Sequence, residues 1–191
     1  GTHLLMEGLS RHFYPKRNLL LTVANRRRLP YSNGTNTSEK NGIPVKGGLL
    51  FSSHDFPERC KWSKKNTIYI RREAFDVLHS FYKLRTWPMK KKPSFDEWLT
   101  EQRIKHWVLH VSKWMMTGVY VVHFEHLSTD YEGEMRKIAD FFGLPHPAVG
   151  YSKPGPVGWN PGKGAIGQGE QHWSEEKKAM LEGLKKEFDL D

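Results

Sequence analysis

The stretch Ile68-Tyr69-Ile70-Arg71-Arg72-Glu73-Ala74-Phe75-Asp76-Val77-Leu78-His79-Ser80-Phe81-Tyr82 decides the fold. Its opening is rich in β-branched and aromatic residues, and Thr67–Ile70 reads as a short strand. Phe75, Leu78 and Tyr82 then recur at helical spacing, which predicts a helix over Glu73–Leu84. A strand that ends in arginine and passes at once into a helix is half of a βα unit. In open α/β sheets, ligands bind outside the carboxyl ends of the strands. An arginine there, with a serine hydroxyl one to two turns into the helix, can grip a phosphate by charge-assisted hydrogen bonds.

Working outward, Asn18–Val23, Gly48–Ser52 and Val119–Phe124 are further strand candidates. Continuous apolar runs such as Leu19-Leu20-Leu21 suit strands buried on both faces. Helical patterns alternate with them. Thr2 caps a helix turning Leu4, Leu5, Leu9 and Phe13 inward, and Ser94 with Glu97 forms a capping box for a helix through Trp98. Others run near Ile104–Met116 and over Asp130–Phe142, the latter ending at Gly143 with Pro145 beyond. Ser174 caps the last, with Glu175 and Glu176 in the first turn where the helix dipole favours negative charge. The alternation predicts an α/β fold in three layers, a central mainly parallel sheet flanked by helices. With 191 residues, it is read as a single domain spanning 1–191. Residues 24–48 and 151–169 read as long loops, the second carrying three Pro and six Gly. A helix that starts at Thr2 with no strand to feed it predicts a strand and a basic loop upstream of Gly1.

Thirty Lys+Arg against 21 Asp+Glu give a formal charge of +9, a field that favours anionic partners. No stretch has the apolar length of a membrane span, and no membrane partner is expected. The single cysteine, Cys60, excludes an internal disulfide framework and suits a reducing compartment, so a cytoplasmic location is expected. Two glycosylation sequons begin at Asn33 and Asn36 and matter only on the secretory route.

The pattern Arg72-x-x-x-Asp76-Val77-x-x-Ser80-Phe81-Tyr82 resembles the 3′-phosphate motif of the cytosolic-type sulfotransferases, which use 3′-phosphoadenosine 5′-phosphosulfate (PAPS). Further segments fall in that family's order. Gly1-Thr2-His3-Leu4-Leu5 resembles the end of its phosphosulfate loop, and Ser53-His54-Asp55-Phe56-Pro57 its histidine segment. The stretch His106–Trp114 with Phe124-Glu125-His126-Leu127 resembles its Trp-x-x-His-Val-x-x-Trp … Tyr-Glu-Asp-Leu region. Lys163-Gly164-Ala165-Ile166-Gly167 followed by His172-Trp173-Ser174 resembles its C-terminal nucleotide loop. The likeness spans 49–188 and 1–23 and leaves 24–48 unmatched.

The resemblance implies a P-loop-NTPase-like sulfotransferase fold. It implies that the enzyme moves a sulfuryl group from PAPS to a hydroxyl or amine of a small acceptor, leaving the 3′,5′-bisphosphate PAP, without a metal. Arg72 and Ser80 would hold the 3′-phosphate, with Lys163 and Gly164 closing over it. Gly1 and Thr2 would hold the 5′-phosphate, as helix N-termini readily do. Phe124 replaces the family's Tyr near the adenine, and His54 would be the general base. Phe56, Trp87, Trp98, Trp107 and His110 are the acceptor-side candidates. The departures are Ser52, where the family usually has lysine, and Gly162, where it has arginine before Lys163. The family's dimer motif is unmatched after Gly169, which leaves the oligomeric state open.

Other motifs read differently. Gly162-Lys163-Gly164-Ala165-Ile166-Gly167 fits G-x-G-x-x-G but follows a Pro/Gly loop rather than a strand. His106 and His110 lie four apart on a helix with no third metal ligand evident nearby. A P-loop kinase using ATP would need a complete G-x-x-x-x-G-K-[ST] loop, which is not visible. The remaining alternative is a basic protein that binds nucleic acid or a sulfated polymer through Arg26–Arg28 and Lys90–Lys92; no nucleic-acid partner is expected.

Overall fold

Strands β1 (Leu21–Ala24), β2 (Ile43–Val45), β3 (Gly48–Ser53), β4 (Thr67–Arg71) and β5 (Tyr120–His123) form one sheet in the order β2-β3-β1-β4-β5. The computed structural model describes residues 4–5, 8–9, 12, 21–24, 43–45, 48–53, 56–59, 67–154 and 166–190. The helices in chain order are α1 (Ala74–Thr86), α2 (Phe95–Trp98), α3 (Glu101–Met115), α4 (Phe124–Thr129), α5 (Tyr131–Phe141) and α6 (Glu175–Glu187). Tight 3-10 turns lie at Pro57–Arg59 and Glu170–His172, and Leu4, Leu5, Gly8, Leu9 and His12 have helical backbone.

The β1–β3, β1–β4 and β4–β5 pairs are parallel, and β2–β3 is antiparallel. Residues Thr67–Ile70 of β4 are all buried, which explains why the strand does not alternate polar with apolar. β2 lies inside the stretch read as loop. With only three residues and a proline at its centre, it has little strand signal. Pro44 pairs with Leu49 in β3, and β2 is the last strand on its side, where a residue without an N–H is tolerated.

The packing divides the chain into two compact units, Gly1–Arg71 with Thr117–Lys163, and Arg72–Met116 with Gly164–Asp191. The first holds the sheet. Ile68, Ile70 and Val122 pack with Leu5, Leu9, Leu127, Met135 and Ile138 in one buried cluster. Each such side chain contributes roughly 1.5–3 kcal/mol by leaving water. Asp130 caps α5 by accepting from the Gly133 N–H at 3.0 Å, and the chain leaves that helix at Gly143. The strand read as Val119–Phe124 is one residue shorter at each end, because Phe124 already begins α4.

The second unit is helical. Trp107, Val108, Val111 and Trp114 of α3 and Leu181 and Leu184 of α6 are buried, and the two helices pack together. The capping box of α2 is present: the Glu97 N–H donates to Ser94 Oγ at 3.2 Å, and the Ser94 N–H to Glu97 Oε2 at 2.7 Å. Helix α1 continues two residues beyond Leu84, with Thr86 Oγ1 donating back to the Tyr82 carbonyl at 2.9 Å, and stops before Pro88.

Candidate functional site

In the first unit, the register brings the carboxyl ends of the parallel strands to one edge. Ala24 ends β1 opposite Ser53, which ends β3, and Arg71 ends β4 opposite His123, which ends β5. The ends of successive parallel strands are where α/β sheets place ligands. Phe124 follows β5 directly and is 6% exposed within the core cluster that includes Ile70, Val122 and Leu127. Phe56 is half-buried just ahead of the Pro57–Arg59 turn. His54, the next residue in the chain after β3, lies outside the described residues, as do Gly1, Thr2, Lys163 and Gly164.

In the second unit, Asp76 organises the start of α1. It stands in the first turn of the helix, where the macrodipole favours a carboxylate, yet it is buried. Its Oδ1 accepts from the Gly169 N–H at 2.8 Å, its Oδ2 from the Gly167 N–H at 2.9 Å, and Arg72 Nη2 lies 3.4 Å from Oδ2. A buried carboxylate needs this many donors, because its desolvation is otherwise uncompensated. Thus one side chain ties residues 91 and 93 positions away onto α1 and orients the Arg72 guanidinium.

The returning chain is held at further points. Trp173 Nε1 donates to the Phe75 carbonyl at 3.4 Å, and the two rings meet edge-on at 5.0 Å. Gly169 passes so close that a Cβ on it would run into the Phe75 backbone, so the approach requires glycine. Gly167 has φ +76°, in the left-handed region. His79, buried one turn after Phe75, lies 3.9 Å ring to ring from His172 and 5.2 Å from Phe95. Burial, with the neighbouring His172 and Lys83, lowers its pKa to about 4 against a smaller opposing pull from Asp76. His79 is therefore neutral at physiological pH.

Ser80 is exposed on α1, four residues after Asp76 and hence on the same helical face. Trp98 and Trp107 are buried in the helical unit, Trp98 among Phe81, Tyr82 and Phe95, with Arg103 over its ring at 4.5 Å. His110 is 1% exposed on α3, and Trp87 is 79% exposed. Among the described residues, no group of three or more His, Cys, Asp or Glu is gathered to hold a metal. The sequence reading assigned no role to Asp76, Gly169 or Trp173. The available signals were an aspartate in a helix first turn between the candidate Arg72 and Ser80, and the presence of Asp76 and Trp173 within the segments that resemble the family.

A family model described as a sulfotransferase domain matches residues 2–153. Among solved structures, the chain is similar to the mouse sulfotransferase SULT7A1 complexed with PAP. The TM-score is 0.66 at 15% identity, covering 98% of this chain and 88% of that one, which shows a shared fold. No curated protein matches the chain.

Proposed function

This chain belongs to the sulfotransferase domain family, and we propose that it moves a sulfuryl group from PAPS to a hydroxyl or amine of a small acceptor, acting as one domain. The observation that carries the donor assignment is the Arg72–Asp76 pair at the start of α1, locked by the Gly167 and Gly169 N–H groups. A guanidinium has five N–H donors in a rigid fork. Holding it on a buried carboxylate fixes its direction before any ligand arrives. A cation so oriented, with the Ser80 hydroxyl farther along the same helix face, suits a phosphate group.

PAPS, when bound, supplies the sulfuryl group and carries away the electron pair of the broken S–O bond as PAP. In this reading Arg72 and Ser80 hold the 3′-phosphate, with Lys163 and Gly164 closing over it. Thr2 and the N–H group of Gly1 hold the 5′-phosphate, and the Phe124 ring lies near the adenine. His54 takes the proton from the acceptor oxygen or nitrogen as that atom bonds to sulfur. Of the acceptor-side candidates, Phe56 is half-buried and Trp87 exposed, whereas Trp98, Trp107 and His110 are buried.

Thermal stability in the presence of PAP, AMP or ATP tests the donor. A ligand that binds only the folded state raises stability by RT ln(1 + [L]/Kd). PAP should stabilise more than the other two, and Arg72→Ala should remove that preference, at about one to two decades of affinity for PAP. Equal stabilisation by AMP and PAP would overturn the 3′-phosphate assignment. For the base, His54→Ala should keep PAP affinity and melting temperature while turnover falls on the order of 10²–10⁴-fold.

A further inference from the structure

We propose that the turn Trp87–Pro93, together with Leu84 on the last turn of α1, docks reversibly on an anionic membrane surface. Nothing in the sulfotransferase reading requires this, and no membrane partner was expected from the sequence, although its +9 charge favours anionic partners. Three large apolar side chains project here into solvent: Trp87 is 79% exposed, Leu84 60% and Met89 47%. Leu84 and Trp87 are three residues apart and share one side of the helix end. Lys90, Lys91 and Lys92 follow at once, and Lys92 Nζ lies 5.8 Å from the centre of the Trp87 ring. Between Lys83 and Glu97 there are five Lys or Arg and two acidic residues, a net +3. The two carboxylates, Asp96 and Glu97, are engaged, the first by the Ser174 hydroxyl and the second by Ser94.

The turn is a built feature. The Trp87 N–H donates to the Lys83 carbonyl at 3.1 Å and the Met89 N–H to the Thr86 carbonyl at 3.0 Å. The Tyr82 hydroxyl reaches across to the Pro93 carbonyl at 2.8 Å and closes the far end. Thr86, beneath the turn, is buried. The apolar side chains are thus presented by ordered backbone, which lowers the entropy lost on docking.

The chemistry of the patch selects the occupant. A soluble polyanion would reward the lysines but gain nothing from Leu84 and Met89. A lipid interface rewards both: tryptophan sits at headgroup level, aliphatic side chains reach the acyl boundary, and lysines snorkel to anionic headgroups. The proposed contact is peripheral, and no described helix is long and apolar enough to cross a membrane. Each lysine near such a surface strengthens binding roughly five-fold.

The test is co-sedimentation of the full chain with phosphatidylcholine vesicles and with mixed phosphatidylcholine–phosphatidylserine vesicles. Binding is expected to the mixed vesicles only. It should weaken on the order of 10²-fold in a Lys90→Gln/Lys91→Gln/Lys92→Gln variant, by the five-fold step per lysine. Trp87→Ala should weaken it further at unchanged melting temperature. Should Trp87→Ala lower stability, Trp87→Phe serves instead: tryptophan quenching by brominated lipid must drop when this one indole is removed. Equal binding to both vesicle types, or no binding to either, overturns the proposal. So does loss with the lysine variant alone while Trp87 variants bind and quench as the parent, since that pattern marks a polyanion site, to be checked with heparin.

Discussion

The two ends of α1 differ in what holds them. At its start, Asp76 is buried and takes three partners, two of them backbone N–H groups from the far end of the chain. At its finish, the bonds that shape the Trp87–Pro93 turn span at most eleven residues, and the large side chains face water. The first end is a junction whose geometry depends on the whole helical unit being folded. The second is a local structure whose geometry survives as long as the helix end does. A site that must fix a guanidinium within a fraction of an ångström suits the first arrangement. A surface that must meet a soft, variable partner suits the second.

Asp76→Ala should give the largest effect, because it removes at once the acceptor of the buried Gly169 N–H, the acceptor of the part-buried Gly167 N–H and the carboxylate beside Arg72. A loss of about 3–5 kcal/mol in urea denaturation is expected, with PAP affinity falling as well. Asp76→Asn keeps the size and one acceptor oxygen and should fall in between. If Asp76→Ala unfolds no more easily than a Trp87→Ala control, the distinction between the two ends is wrong.

Next in size is the pH dependence at His79. Its pKa is lowered to about 4 in the folded chain and stands at 6.5 when unfolded. Its contribution is therefore complete above pH 6.5 and is lost progressively as pH falls toward 4, where the unfolded state takes up a proton that the folded state resists. Stability curves of the parent and His79→Phe should differ in slope across that window, the parent falling more steeply. Parallel curves would mean that burial and the neighbouring His172 do not hold the imidazole neutral.

The smallest effect belongs to the local end. Tyr82→Phe removes only the hydrogen bond to the Pro93 carbonyl, at an expected cost of about 0.5–1.5 kcal/mol by thermal denaturation. PAP affinity should not change, because nothing at the Asp76 junction is altered. A change in PAP affinity would show that the two ends are coupled.

What the sequence by itself determined about this protein is the set of features carried by near neighbours. The Ser94–Glu97 capping box and the helix stop at Gly143 need only residues close together in fixed order, and both are present. The βα passage at Arg71–Arg72 and the strand that leads into it were legible for the same reason, since hydrophobic period is a local quantity. The family motifs are likewise short strings; the sulfotransferase-domain match over residues 2–153 supports the family they pointed to and stops before the Lys163–Gly167 segment. Only the tertiary structure decided that Asp76 receives Gly167 and Gly169, that the short Pro44 strand adds an edge to the sheet, and that Trp98 is buried while Trp87 is exposed. The reason is physical. A carboxylate's partners ninety residues away, a strand's pairing and a tryptophan's burial depend on what the folded chain brings beside them, and the residue's own type and spacing are compatible with either outcome.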